Sequence, residues 1–168
     1  MDLTDLPGTR LLPATPADAA ELLVLQRCCW VEEALLNNTL DIPALHESLD
    51  DIRADLTSWH VSLVRQGPRL IAAVRGRLTG DAWEIGRLMV APDLAGRGLG
   101  RRLLAHVETA APAEATRFEL FTGAASKRNI TLYERAGYTL TTQPGPANGH
   151  IAHAVFLVKP RSRGDAGA

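Results

Sequence analysis

Apolar residues along the chain switch between two spacings, and the switches mark the elements. In TPADAAELLVLQRCCWVEEALL (residues 15–36), Leu22, Leu25 and Cys29 recur at helical spacing behind a Pro16 and Asp18 start. NNTLDIP breaks that helix. A second is predicted after it, with Leu45, Leu49, Ile52 and Leu56 at steps of four, three and four. From Trp59 the texture turns to strand. WHVSLVRQ, RLIAAVRGRL and AWEIGRLMV are three β-like runs joined by GP and TGD, and links this short force antiparallel neighbours.

Helical spacing returns with Leu99, Leu103, Leu104 and Val107, in a helix ending near Pro112. RFELFTG reads as a strand. SKRNITLYERAGY reads as a helix with Ser126 as its N-cap and Gly137 as its stop. YTLTT and HIAHAVFLVK close the pattern as two strands, preceded at the start of the chain by a short one at TRLLP. The order β-α-α-β-β-β-α-β-α-β-β describes one α+β domain over residues 1–160. It implies a mixed, mostly antiparallel sheet of about seven strands with four helices, and residues 161–168 as a disordered tail.

Composition narrows the function classes. The 168 residues suffice for one domain with a proper core, and 46% hydrophobic with 22% charged residues is ordinary for a globular protein. A net charge of −1 argues against a nucleic-acid or membrane-surface partner. The N-terminus has two Asp and no signal-peptide core, and no apolar run has the length of a membrane span. Adjacent Cys28 and Cys29 are unsuited to bridging each other, so a reducing, cytoplasmic location is expected. His150 and His153 fall on opposite sides of a strand and cannot readily share a metal, so no metal site is expected. His46, His60 and His106 read as surface or packing residues.

The chemistry concentrates in LMVAPDLAGRGLGRRLLAHVE (residues 88–108), with Gly96, Gly98 and Gly100 between a strand and a helix. A P-loop would need Gly-Lys-Ser/Thr, but Gly100 is followed by Arg101 and Arg102. A dinucleotide fold would place G-x-G-x-x-G directly after its first strand, whereas here the spacing is G-x-G-x-G and three antiparallel strands come first. Two readings stay open on these residues alone. One is a pyrophosphate cradle of backbone N–H groups at a helix start, with Arg97, Arg101 and Arg102 at its rim; the other is a turn that only packs tightly.

EIGRLMVAPDLAGRGLGRRLL resembles motif A of the GNAT superfamily of N-acetyltransferases, and NITLYERAGY resembles that family's second signature, Asn-x-x-x-Tyr-Glu-x-x-Gly-Phe/Tyr. The element order is similar to the GNAT fold throughout. The resemblance implies acetyl-CoA as cosubstrate and transfer of its acetyl group to a primary amine by direct attack. A CoA-binding regulatory module without turnover is the alternative. One position departs from the pattern: Ala95 stands where motif A has Arg or Gln, which removes a side-chain contact to the cofactor.

The resemblance also implies site residues. Leu88, Met89 and Val90 would run beside the pantetheine arm, with a backbone N–H near Met89 or Val90 facing the reacting carbonyl oxygen. Ala95, Gly96, Arg97, Gly98, Leu99, Gly100 and Arg101 would hold the pyrophosphate, and Asn129 would bond the arm. Tyr133, one helical turn from Asn129, would give the leaving thiolate its proton, since phenol and thiol pKa values of ~10 and ~8.5 are near enough for that transfer. Glu84, expected to share a strand face with Gly86, Leu88 and Val90, stands where some members place a general base. Glu32, Glu33, Asp41 and Glu47 surround the helix break that walls the acceptor site in the family, and carboxylates there would favour a cationic amine. The acceptor, a small-molecule or peptide amine, is not readable from the chain, and the pattern leaves room for a homodimer.

Overall fold

The computed structural model describes residues 7–142 and 153–162. Its seven strands form one sheet in the order β1-β2-β3-β4-β5-β7-β6. Strands β1 (Thr9–Pro13), β2 (His60–Gln66), β3 (Arg69–Thr79) and β4 (Ala82–Val90) are successive antiparallel neighbours. Helix α4 (Leu99–Thr109) then carries the chain over to β5 (Arg117–Gly123), which lies parallel to β4. Strand β7 (Ala154–Pro160) pairs with β5, and β6 (Thr139–Thr141) pairs with the outer edge of β7.

Two helical layers cover the sheet. Helix α4 buries Leu99, Leu103, Leu104 and Val107, and the Trp83 indole of β4 donates to the Val107 carbonyl at 2.9 Å. Each such side chain contributes about 1.5–3 kcal/mol when fully buried, so this one stripe suffices to dock the helix. Helix α1 (Ala19–Leu36) and helix α3 (Leu49–Ser58) cover the opposite face, burying Leu22, Leu25 and Ile52. Helix α5 (Lys127–Arg135) lies beside α4, with Leu132 next to Gly100. It ends as the sequence pattern predicts: Gly137 has φ +92° and the Tyr138 N–H donates to the Tyr133 carbonyl at 3.1 Å.

Local chemistry overrides three sequence expectations. The predicted second helix is two: a single turn α2 (Pro43–His46) holding Leu45, then α3. The Ser48 Oγ accepts from the Asp51 N–H and the Asp51 carboxylate accepts from the Ser48 N–H, a capping box that starts α3 afresh. Ser126 stands at the N-cap of α5 as expected, but its side chain makes no capping bond: the hydroxyl donates to Glu33 and accepts from Asn37 Nδ2 at the end of α1 instead. Arg161, placed in the tail by its composition, is held: its N–H donates to the Thr116 carbonyl at 2.9 Å and its guanidinium to the Ala111 and Ala115 carbonyls. Residues 163–168, with most of the predicted tail, lie outside the described residues, as do His150 and most of the β6–β7 loop.

Candidate active site

Strands β4 and β5 stay paired for only three rungs, Ala82–Arg117, Trp83–Phe118 and Glu84–Glu119. Beyond them the strands part, and a cleft of about 680 Å³ opens between them. A β-bulge in β4 accompanies the divergence: Arg75 and Ala73 of β3 face Gly86 and Met89, so three steps on β4 match two on β3. Arg87 takes the extra step in the left-handed region at φ +48°. Bulges bend a strand and sharpen its twist.

The bulge also corrects the expected alternation of β4. Trp83 faces α4, and Val90 does so again, lying beside Gly100. Gly86 instead faces Arg75 and Trp59, and Arg87 pairs with Glu47, both on the α1–α3 side. Glu84, Gly86, Leu88 and Val90 therefore do not share one face, since one inserted residue reverses everything after it.

The floor of the cleft at one end is the loop before α4. Gly96 and Gly98 have φ of +83° and +79°, a conformation that costs any other L-residue roughly 1–2 kcal/mol. These two turns bring the chain into the helix with its first-turn amides free. The first helical N–H to find a carbonyl is that of Arg102, donating to Gly98 at 3.2 Å. Among the described residues, no backbone carbonyl meets the N–H groups of Gly96 through Arg101. Arg97, Arg101 and Arg128 likewise have no ion-pair partner there. An Arg128 Nη lies 3.8 Å from where a Cβ on Gly96 would stand. Free amides, a helix N-terminus and uncommitted guanidinium groups together suit a multiply charged anion.

Helix α5 forms the other wall. Tyr133 is buried, its ring edge-on to Tyr138 with centroids 6.2 Å apart. Its hydroxyl meets no hydrogen-bond partner among the described residues, and the residue lines the cleft. Burial, and then the charge of Glu33, push this phenol above its usual range, so it holds its proton at physiological pH. One turn earlier, Asn129 Nδ2 donates to Glu33 Oε1 at 2.7 Å and more weakly to Thr122 Oγ1 at 3.4 Å. Asn37 adds to this junction, donating to the Glu33 carbonyl at 2.9 Å and to Ser126 Oγ at 3.2 Å.

Helix α1 reaches the cleft through Cys29, Trp30, Glu32 and Glu33. The Cys29 thiol donates to the Val90 carbonyl at 3.3 Å, and burial pushes its pKa up to about 12. Arg87 stands over the Trp30 ring at 5.2 Å and pairs with Glu47, which also accepts from Gln26 Nε2 at 2.6 Å. Among the described residues no cluster of three His, Cys, Asp or Glu could hold a metal, and no helix is long and apolar enough to cross a membrane.

Residues 20–138, which span the cleft and both of its helical walls, match the acetyltransferase (GNAT) family. The chain belongs to the GNAT family. A Bacillus subtilis (strain 168) relative, UPF0157 protein YqkA, is 28% identical over 145 residues, which are 86% of this chain and 41% of that protein. This GNAT chain thus spans well under half the length of that curated relative. The PaiA N-acetyltransferase of Thermoplasma acidophilum, solved in complex with coenzyme A, superposes with a TM-score of 0.76 at 12% identity, over 91% of this chain and 99% of that one. An acetyltransferase from Thermus thermophilus gives 0.69 at 20% identity, over 94% and 100%. Identities this low establish the GNAT fold and nothing finer.

Within this GNAT domain the residues named from sequence separate into two groups. Leu88, Val90, Ala95, Gly96, Gly98, Leu99, Gly100, Arg101, Asn129 and Tyr133 all border this cleft, whereas Arg97, named with them, is not among its lining residues. Met89 is turned to the α1–α3 side among Leu22, Gln26 and Ile52, so its backbone and not its side chain is what the cleft can use. Glu84 stands apart. It lies in the still-paired part of β4, accepting from Arg77 Nη2 at 2.7 Å and Thr79 Oγ1 at 3.2 Å, and is not among the cleft residues. Of the four carboxylates near the helix break, Glu47 is neutralised by Arg87 and Asp41 lies off the cleft, whereas Glu32 and Glu33 border it.

Sequence reasoning assigned Arg87, Arg128 and Asn37 no role in the site, and Ser126 only that of a helix cap. A signal for Asn37 did exist. Glu33 and Asn37, four apart, continue the apolar face of Leu22, Leu25 and Cys29 with polar groups, so that face had to leave the core and meet something polar.

Proposed function

We propose that this GNAT domain is an acetyl-CoA-dependent N-acetyltransferase acting on a primary amine by direct attack, without an acyl-enzyme. The observation that carries the reading is the parting of β4 from β5, with a Tyr133 hydroxyl at one wall and a set of free amides at the end. Acetyl-CoA has the complementary parts: a pyrophosphate and a peptide-like arm. When bound it supplies a thioester acetyl group and a thiol leaving group.

The residues present fit that molecule. Backbone N–H groups of Gly96 to Arg101 would take the pyrophosphate, with Arg97 and Arg101 at its rim. Arg128 would supply the long cationic side chain that Ala95 does not, reaching the loop from α5 rather than from the strand–helix turn. Leu88, Met89 and Val90 would offer their backbone to the arm as an absent neighbouring strand would, and Asn129 would add a side-chain amide. Tyr133 keeps its proton at neutral pH and is poised to donate it to a departing thiolate; burial disfavours thiolate as it disfavours phenolate, which keeps the two near in basicity. Cys29 makes a poor nucleophile, its thiol half-buried, donating to the Val90 carbonyl and held neutral at physiological pH, which supports direct attack over an acyl-enzyme.

Titration calorimetry with acetyl-CoA and a thiol-release assay over a panel of primary amines test this together. Binding without release from any amine would favour the regulatory-module reading, and no binding at millimolar cofactor would sink both. Tyr133→Phe removes a hydroxyl that bonds to no described residue, so the fold should persist and CoA affinity should hold. Its kcat should fall by about 10²-fold, the ordinary contribution of a general acid.

A further inference from the structure

We propose that Glu33, and not Glu84, receives the acceptor's ammonium group and takes its proton, which makes the substrate of this site a cationic amine; this rests on the acetyltransferase reading above. The argument is one of charge and placement. Of the other carboxylates in contention, Glu84 is answered by Arg77 and Glu47 by Arg87, while Glu32, which also borders the cleft, is solvent-exposed and so keeps its charge hydrated. Glu33 has no cationic partner among the described residues. Its oxygens accept only from the neutral groups Ser126 Oγ and Asn129 Nδ2. A half-buried carboxylate with only neutral donors leaves its negative charge uncompensated, and such a group attracts a cation.

Its position is also the right one. Glu33 bridges from α1 to the start of α5 through Ser126 and Asn129, and it borders the same cleft as Asn129 and Tyr133. Its charge is felt at the Tyr133 hydroxyl. The rotamer is held from two sides, Ser126 Oγ donating to one carboxylate oxygen and Asn129 Nδ2 to the other, and Asn37 Nδ2 in turn donates to Ser126 Oγ at 3.2 Å, so the carboxylate is positioned as a proton acceptor requires. The charged and titratable groups bordering the cleft with it are Cys29 and Glu32 of α1, Arg87 of β4, Arg101 of α4, and Lys127, Arg128, Tyr133 and Arg135 of α5, and none of these cations forms an ion pair with Glu33.

Each carboxylate oxygen carries a single neutral donor, Asn129 Nδ2 on Oε1 and Ser126 Oγ on Oε2, so each keeps a lone pair for an incoming ammonium. The proton balance closes. The acceptor arrives as an ammonium, donates to Oε1 and passes that proton to Glu33. The nitrogen lone pair forms the C–N bond as the C–S bond breaks. The departing sulfur takes the Tyr133 proton, the phenolate takes the second proton from nitrogen, and Glu33 returns its proton to solvent.

The test uses acetyl-CoA with spermidine, lysine and an alanyl dipeptide as cationic amines, and aniline as one already neutral at pH 7. For Glu33→Gln, kcat/KM with the fastest cationic amine should fall about 10²-fold at pH 7. That loss should shrink as the pH rises toward the amine's own range, because free amine needs no base. The loss with aniline should be less than about tenfold, because no ammonium needs to be deprotonated. Coenzyme A affinity, read by calorimetry, should not fall, since Asn129 is no longer held by a carboxylate. Ser126→Ala cuts the tether and keeps the carboxylate, so any loss it causes should not shrink as the pH rises. The proposal is overturned if the Glu33→Gln loss is the same at every pH, if Ser126→Ala shows the same recovery at high pH, or if coenzyme A affinity drops in step with kcat/KM. In any of those cases turnover by the wild type leaves the acetyltransferase reading standing. Wild type that releases thiol from none of the amines overturns both.

Discussion

Glu84 and Glu33 are both carboxylates within reach of a GNAT cleft by sequence, and their surroundings assign them opposite tasks. Glu84 accepts two hydrogen bonds from Arg77, whose guanidinium stands over the Trp59 ring at 4.1 Å. Such an arrangement anchors a strand end. Glu84→Gln should therefore cost about 1 kcal/mol in urea denaturation. It should leave kcat/KM within about twofold of wild type. A loss of about 10²-fold, the scale of a general base, would return Glu84 to the chemistry. At this scale the chain named Tyr133 and Asn129 through a signature but could not rank its carboxylates, because ranking depends on which arginine each one meets, and Arg77 and Arg87 find Glu84 and Glu47 only through strand and helix pairing.

At the scale of elements, two short devices position the site. The Gly96–Gly98 turn delivers α4 with its first amides uncommitted, and Gly98 has open space where a Cβ would stand, so only its φ of +79° resists substitution. Gly98→Ala should cost about 1–2 kcal/mol of stability if the turn is kept. If the loop relaxes to avoid that strain, the amides lose their convergence and coenzyme A affinity should drop by at least about tenfold, or 1.4 kcal/mol. Unchanged affinity with unchanged stability would remove the cradle from the proposal. The second device is the β4 bulge at Arg87. Binary pattern cannot show it, because AWEIGRLMV reads as an apolar-rich strand whether or not one residue is inserted. The same limit hid the division of α2 from α3, where the Ser48–Asp51 box outweighed a continuous apolar spacing.

Across the whole molecule, the two faces of the sheet are sensed by different groups. On the α4 face His106, half-buried, meets Ser62 Oγ at 3.1 Å, and the same hydroxyl meets His60 at 3.2 Å. Burial, and then the charge of His60, lower the His106 pKa from its usual 6.5. Between the folded value and 6.5 the unfolded chain binds more protons than the folded one. Stability is therefore full above about pH 6.5 and declines as the pH falls through that window. Urea midpoints measured from about pH 8 to pH 5 should show the decline, and His106→Gln should make it shallower. A midpoint that rises as the pH falls below about 6.5 would contradict the assignment.

By itself the sequence determined the order of elements, the strand–Gly-loop–helix unit and the Asn129–Tyr133 pair, because these depend on residues close in the chain: spacing, turn chemistry and helix periodicity. The tertiary structure alone decided that β4 and β5 part after three rungs, that Arg128 reaches the loop which Ala95 leaves bare, and that Glu33 enters the cleft without a cation. Each of those pairs residues far apart in the chain, and which charge meets which is settled only when the sheet and its two helical layers close around them.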